Sequence, residues 1–159
     1  MDTKTIATKP IFFEKNRVLR VYLGGKLFSD FFGDDSEDCF YPEEWVCSST
    51  KALNEGSTDE YEGVSKVKGT NIYFNELLET EKELMLGNRN GLDVLVKALD
   101  SAIRLPVQAH PDKPFSRKFF NSDFGKAESW LVLGTREDAC IYFGFKDGVT
   151  PEEFEKAVE

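Results

Sequence analysis

Apolar and polar positions change rhythm several times along the 159 residues. Residues 11–28 (IFFEKNRVLRVYLGGKLF) are apolar and extended in character, and Gly24-Gly25 marks a turn or a close backbone approach. Residues 29–63 are acidic and rich in Gly and Ser, with Phe40, Tyr41 and Trp45 as aromatic anchors, so they predict a loop around a short strand at Glu44–Ser48. Asn75 is an N-cap candidate for a helix whose apolar positions are Leu77, Leu78, Leu84 and Met85 and whose stop is Gly87. Residues 92–99 (LDVLVKAL) fit strand or helix, with Val94 and Val96 favouring strand. Leu105 to His110 predicts a strand closed by Pro111, and Asp112 to Asp123 a loop with a short helix. Ser129–Leu133 and Ala139–Phe145 predict two strands joined by the polar turn Gly134 to Asp138. Thr150-Pro151-Glu152-Glu153 is a strong helix start: a capping Thr, Pro at the first helical position and acids in the first turn. The chain stops about two turns later, which reads as the N-terminal part of a longer protein, with residues 1–159 forming a portion of one domain.

Composition narrows the class. The apolar fraction is 40% and there are 14 Phe, which suits a globular chain rather than a disordered one. There is neither an apolar run long enough to span a membrane nor an apolar stretch among residues 1–9 of the kind a secretory signal needs. Cys39, Cys47 and Cys140 are odd in number and lack CxxC spacing, so they read as reduced thiols of a cytoplasmic protein, Cys140 as a buried one. The formal net charge of -9 argues against a nucleic-acid binder. That charge is uneven. Asp30 to Glu62 holds eleven acids and one base, whereas Lys97 to Lys126 holds six bases against three acids. A small anion would be drawn to the basic island, although a solvated charged face is the commoner use of such a stretch.

Candidate chemistry lies in that island. The only His of the chain, His110, stands two residues after Gln108, and a strand would turn both to one face. Glu128 follows on a neighbouring predicted strand. An amide, an imidazole and a carboxylate make an N/O set suited to zinc, and Lys126 is placed for proton transfer. Against this, QxH is short, and a lone His on a strand is more often a satisfied structural residue. Trp45 and Trp130 are more often core or pocket wall than catalytic, and Phe119-Phe120 reads as core. Arg117 and Lys118 suit a phosphate contact or a plain surface role equally.

Several segments taken in order carry a resemblance: Leu23-Gly24-Gly25-Lys26-Leu27, Glu43-Glu44-Trp45-Val46-Cys47-Ser48, Leu95 to Asp100, Val107-Gln108-Ala109-His110-Pro111-Asp112, Gly125-Lys126-Ala127-Glu128-Ser129-Trp130 and Ile141 to Phe145. From about Arg17 to Glu159 the chain resembles the type I mannose-6-phosphate isomerase family, zinc-dependent cupins. The resemblance implies a mainly β, cupin-type jelly roll with a few flanking helices, incomplete in these residues. It implies Gln108, His110 and Glu128 as zinc ligands, a fourth ligand and an Arg beyond residue 159, Lys126 as the active-site Lys, and Lys97 and Trp45 at the substrate pocket. The implied reaction interconverts mannose 6-phosphate and fructose 6-phosphate, with a small sugar phosphate as partner and neither nucleic acid nor membrane. The chain departs from the family at Leu23, where a pocket Trp is usual, and at Pro106, where a Ser associated with phosphate is usual. Those departures favour the alternative of a catalytically inactive sugar-binding or regulatory module. A metal-free interaction domain using the acidic segment is the third reading.

Overall fold

A computed structural model describes residues 2–158, which divide into a larger unit up to Ala127 and a smaller one from Glu128. The larger unit runs α1 (Thr3–Ala7), β1 (Arg17–Val18), α2 (Phe28–Phe32), β2 (Glu43–Val46), α3 (Phe74–Thr80), α4 (Lys82–Leu86), β3 (Val96–Leu99) and α5 (Lys113–Phe120). The smaller unit contains α6 (Pro151–Val158). No helix is long and apolar enough to cross a membrane among the described residues.

The three strands form one antiparallel sheet with β2 in the middle. Arg17 stands opposite Glu44, Glu43 opposite Leu99, and Trp45 opposite Lys97. Side chains alternate between the faces of a strand, so Glu43 and Glu44 point to opposite sides of the sheet. Both are buried, and each finds cations. On one side Glu44 accepts from Arg17 Nε at 2.6 Å and from the Asn16 backbone N–H at 2.7 Å. The Arg17 guanidinium also lies 4.1 Å from the centre of the Phe28 ring, which ties α2 to the sheet. On the other side Glu43 accepts from Tyr22 Oη at 2.6 Å and Trp45 Nε1 at 2.7 Å, with Arg20 Nε at 3.0 Å and Lys97 Nζ at 3.3 Å.

The larger unit has two apolar clusters. Val18, Trp45 and Ala52 form one, with Leu95 packed against it. Ile6, Val67, Phe74, Leu77 and Leu78 form the other, joined by Ile11, Phe13 and Met85. Asn16 links the loop regions to the sheet: its Nδ2 donates to Trp45 O, Gly63 O and Ser65 Oγ at 2.9–3.2 Å. The acidic segment therefore acquires order from polar side chains as well as from the expected anchor Trp45, which is buried. Phe40 and Tyr41, expected as anchors, are about half exposed.

Several local expectations hold. Of residues 92–99, which fitted strand or helix, only 96–99 are strand, and Gly87 ends α4 with φ 60°. Thr150 caps α6: Glu153 N–H donates to Thr150 Oγ1 at 3.2 Å while Thr150 N–H donates to Glu153 Oε2 at 2.9 Å. Other expectations are corrected. The helix expected from Asn75 starts at Phe74, with Tyr73 as N-cap, because Glu76 reaches back to the Tyr73 N–H at 3.1 Å. It also breaks at Glu81, whose carboxylate is taken by Thr3 Oγ1 at 2.5 Å. Leu105–His110, Ser129–Leu133 and Ala139–Phe145 are extended or irregular without ladder partners among the described residues, so they are not strands. Strand propensity is realised only where cross-strand neighbours and burial supply it. Here Leu131, Val132 and Phe143 stay exposed, and so do Cys140, Phe119 and Phe120, which were expected inside. The expected mainly β chain is thus met only in part: the described residues form a small three-stranded sheet and six helices.

Gly24 is required by close approach. A methyl group there would collide with the Asp100 carbonyl, whose carbon would be 2.8 Å away. The next glycine, Gly25, has φ 111°, which side-chain-bearing residues rarely adopt. The Asp100 carboxylate fixes this turn by accepting from the Gly25 and Leu27 N–H groups, each at 2.9 Å. Gly24→Ala is expected to cost about 1–3 kcal/mol by overpacking, read as a lowered midpoint in urea unfolding. Gly91→Ala, in open space, is the control and should change stability by less than about 0.5 kcal/mol. Equal midpoints for the two variants would refute the close-approach argument.

Burial alone would raise the Glu43 pKa. The hydrogen bonds from Tyr22 and Trp45 and the charges of Lys97 and Arg20 outweigh it and hold the carboxyl below its usual value. A carboxylate with a lowered folded pKa stabilises the fold above the unfolded value of about 4.3, and that contribution is lost as pH falls through the folded value. Wild-type stability should therefore drop on acidification below about pH 4.3, and Glu43→Gln should flatten that drop. Denaturant unfolding at pH 6 and at several acid pH values measures both slopes; parallel slopes would exclude Glu43 as a contributor.

Candidate functional site

Apart from Glu128, the residues singled out from sequence fall into two local groups in the larger unit. The first sits on the sheet. Trp45 and Lys97 are register partners on β2 and β3, and Glu43, two residues before Trp45, shares their face. Lys97 Nζ is within 3.3 Å of Glu43 Oε2, and its side chain is 25% exposed. Trp45 is buried; its indole N–H is used by Glu43, and the Arg20 guanidinium lies 4.9 Å from its ring centre. The sheet thus presents two cations, Arg20 and Lys97, around one buried carboxylate.

The second group is built by a close approach around α5. Asp112 caps that helix, its Oδ1 accepting from Phe115 N–H at 2.8 Å, and Asn121 ends it in the left-handed conformation. The chain then returns so that Lys126 N–H donates to Pro111 O at 3.0 Å. A methyl at Gly125 would lie 2.9 Å from the same Pro111 carbonyl oxygen, so glycine is what lets the two backbones meet. This return sets Lys126 Nζ 2.9 Å from Gln108 Oε1. Two residues 18 apart in sequence, both chosen on chemical grounds, are therefore in contact. Gln108, His110 and Lys126 are all exposed. Glu128 begins the smaller unit and is exposed as well. Arg117 is committed to Asp123 in an exposed ion pair at 3.0 Å.

The fit of this group to a metal ion rests on donor chemistry. Gln108 Oε1 already faces a positive charge, the Lys126 ammonium, so its lone pairs are aimed at a cation. An amide oxygen, an imidazole nitrogen and a carboxylate oxygen are the N/O donors that zinc takes. Among the described residues no three His, Cys, Asp or Glu side chains gather as a metal-binding group, so a metal site here depends on the amide of Gln108. A surface cleft of about 530 Å³ between Thr5–Phe12 and Val67–Ile72 includes none of these residues.

Glu43 was not among the sequence candidates, nor were Tyr22 and Arg20. The available signal was the pair Glu43-Glu44 on the strand that carries Trp45: one of two adjacent strand acids must face inward and demand partners.

Comparison with known proteins bears on this arrangement. No family model matches the chain, and no solved structure matches it. The chain is 38% identical over 66 residues to the probable mannose-6-phosphate isomerase GmuF of Bacillus subtilis, covering 42% of this chain and 21% of that protein. It is 28% identical over 156 residues to the mannose-6-phosphate isomerase ManA of the same organism, covering 97% of this chain and 46% of that protein. It is 27% identical over 140 residues to the mannose-6-phosphate isomerase of Streptococcus mutans, covering 86% of this chain and 40% of that protein. The chain spans less than half the length of each of these relatives. The family resemblance is thus supported by curated relatives named as mannose-6-phosphate isomerases, one of them as a probable one.

Proposed function

We propose that this chain contributes to a zinc-dependent aldose-ketose isomerase that interconverts mannose 6-phosphate and fructose 6-phosphate. The observation that carries the reading is the Lys126–Gln108 contact, made by backbone approach at Pro111 and Gly125. It joins a proton-transferring group to a metal-ligand candidate, in a chain whose relatives bear this activity in their names. Gln108, His110 and Glu128 are the proposed zinc ligands, with a fourth ligand and an Arg supplied from outside residues 1–159. Under the same reading the fold is of cupin type and the protein works in the cytoplasm.

The reaction moves a proton between C1 and C2 of an open-chain sugar through an enediol. Zinc bound at these ligands would supply a positive charge beside the sugar oxygens. Lys126, next to Gln108, is the group that handles the proton or clamps the developing negative oxygen. Lys97 and Trp45 contribute on the substrate side, Lys97 by its charge and Trp45 as the wall beneath. The second reading, a sugar-binding module without catalysis, draws on Pro106 and Leu23, which replace the Ser and Trp usual in the family.

Three measurements test the reading: metal content by mass spectrometry, zinc affinity, and a coupled assay with both sugar phosphates. The wild-type protein, taken with the part that supplies the fourth ligand and the Arg, is expected to hold one zinc and to turn over, whereas residues 1–159 alone should turn over little or not at all. His110→Ala should lose the zinc. Lys126→Met should retain zinc while kcat falls by about 10²-fold or more. A wild-type protein without zinc would sink the isomerase reading. Zinc and sugar-phosphate binding without turnover would leave the inactive module in its place. Unchanged turnover in Lys126→Met would remove Lys126 from the chemistry.

A further inference from the structure

We infer that Glu43 is a positioning residue: it holds the Lys97 ammonium at the sheet face for an anionic sugar phosphate. The inference rests on the isomerase reading and adds to it a buried group that the reading does not use. Glu43 is 3% exposed, while the Lys97 side chain that it holds is 25% exposed. The carboxylate is therefore out of reach of a ligand and the ammonium is within reach. Its contacts divide by function. Tyr22 Oη and Trp45 Nε1, at 2.6 and 2.7 Å, fix the carboxylate in the wall. Arg20 Nε and Lys97 Nζ, at 3.0 and 3.3 Å, are the two cations that it orders.

Charge arithmetic gives the direction of the effect. One carboxylate between two cations leaves the cluster with a net charge of +1, so an anion is attracted and a cation is not. Arg20 is further committed to Asn54 Oδ1 at 3.1 Å and to the Trp45 ring, and it is the more firmly held of the pair. Lys97, on the three-stranded sheet opposite Trp45, is the cation left to meet a ligand. An ordered ammonium binds better than a free one because the rotamer freedom of a Lys is lost before the ligand arrives.

The test is a double-mutant cycle in the intact protein, read as KM and kcat for mannose 6-phosphate, with melting temperature recorded for every variant. Lys97→Met and Glu43→Gln are each expected to raise KM about tenfold with kcat within about twofold. Because Glu43 acts through Lys97, the double variant should raise KM no further than Lys97→Met alone. A purely structural Glu43 would lower the melting temperature and raise KM in the Lys97→Met background as well, and that additivity would overturn the inference. An unchanged KM in Lys97→Met would also overturn it. Should Glu43→Gln fail to fold, Glu43→Asp keeps the charge and withdraws it by one methylene, and the same comparison with Lys97→Met decides. A wild-type protein that does not turn over refutes the isomerase reading at the first step, before any variant is compared; turnover without the Glu43–Lys97 coupling refutes this inference alone.

Discussion

Two adjacent carboxylates buried on opposite faces of the central strand organise the larger unit. A buried charge is tolerated only with partners, and those partners have to be brought from elsewhere in the chain. Glu44 draws in Arg17 from β1 and the Asn16 backbone, and Arg17 in turn lies over the Phe28 ring of α2. Glu43 draws in Tyr22 and Arg20 from the segment after β1 and Lys97 from β3. Sheet pairing with strands of only two and four residues offers few ladder bonds. The ion pairs and side-chain hydrogen bonds complete the connections that such short ladders leave undone. Breaking one partner leaves an uncompensated buried charge, so these contacts specify the arrangement more than they add to its stability.

The same arrangement separates two kinds of chemistry within the larger unit. The sheet face carries fixed positive charge around a buried carboxylate, suited to holding an anion. The α5 return carries Lys126 against Gln108, with His110 two residues further along the same segment. The first is a matter of strand register, and the second of a glycine that lets two backbones touch. The proposed isomerase reading would give both groups a common context, since a sugar phosphate has an anionic end to be held and a reacting end to be polarised.

Legibility from sequence varied with the range of the interaction. The α6 cap, the Gly87 stop, the 96–99 strand and the close approach at Gly24 were readable because each depends on residues near in sequence or on a glycine whose use is local. The Lys126–Gln108 proximity was readable as chemistry, from residue types at two motifs, though the α5 return that produces it was not. The segments 129–133 and 139–145 read as strands because alternation and β-branched or aromatic content measure suitability for pairing, and pairing itself needs a neighbour. In the described residues these segments have none, and their apolar side chains lie open.

What the sequence determined by itself is therefore the local grammar and the chemical inventory: caps, stops, the acidic and basic halves, and the Gln, His, Lys and Glu of the two motifs. Those follow from short-range backbone preferences and from side-chain chemistry, neither of which depends on distant residues. Only the tertiary structure decided that Glu43 finds Arg20 and Lys97 and that Glu44 finds Arg17. The reason is that a buried charge is satisfied by partners tens of residues away, and the choice among the many cations of the chain is made by strand register and packing, which no local pattern encodes.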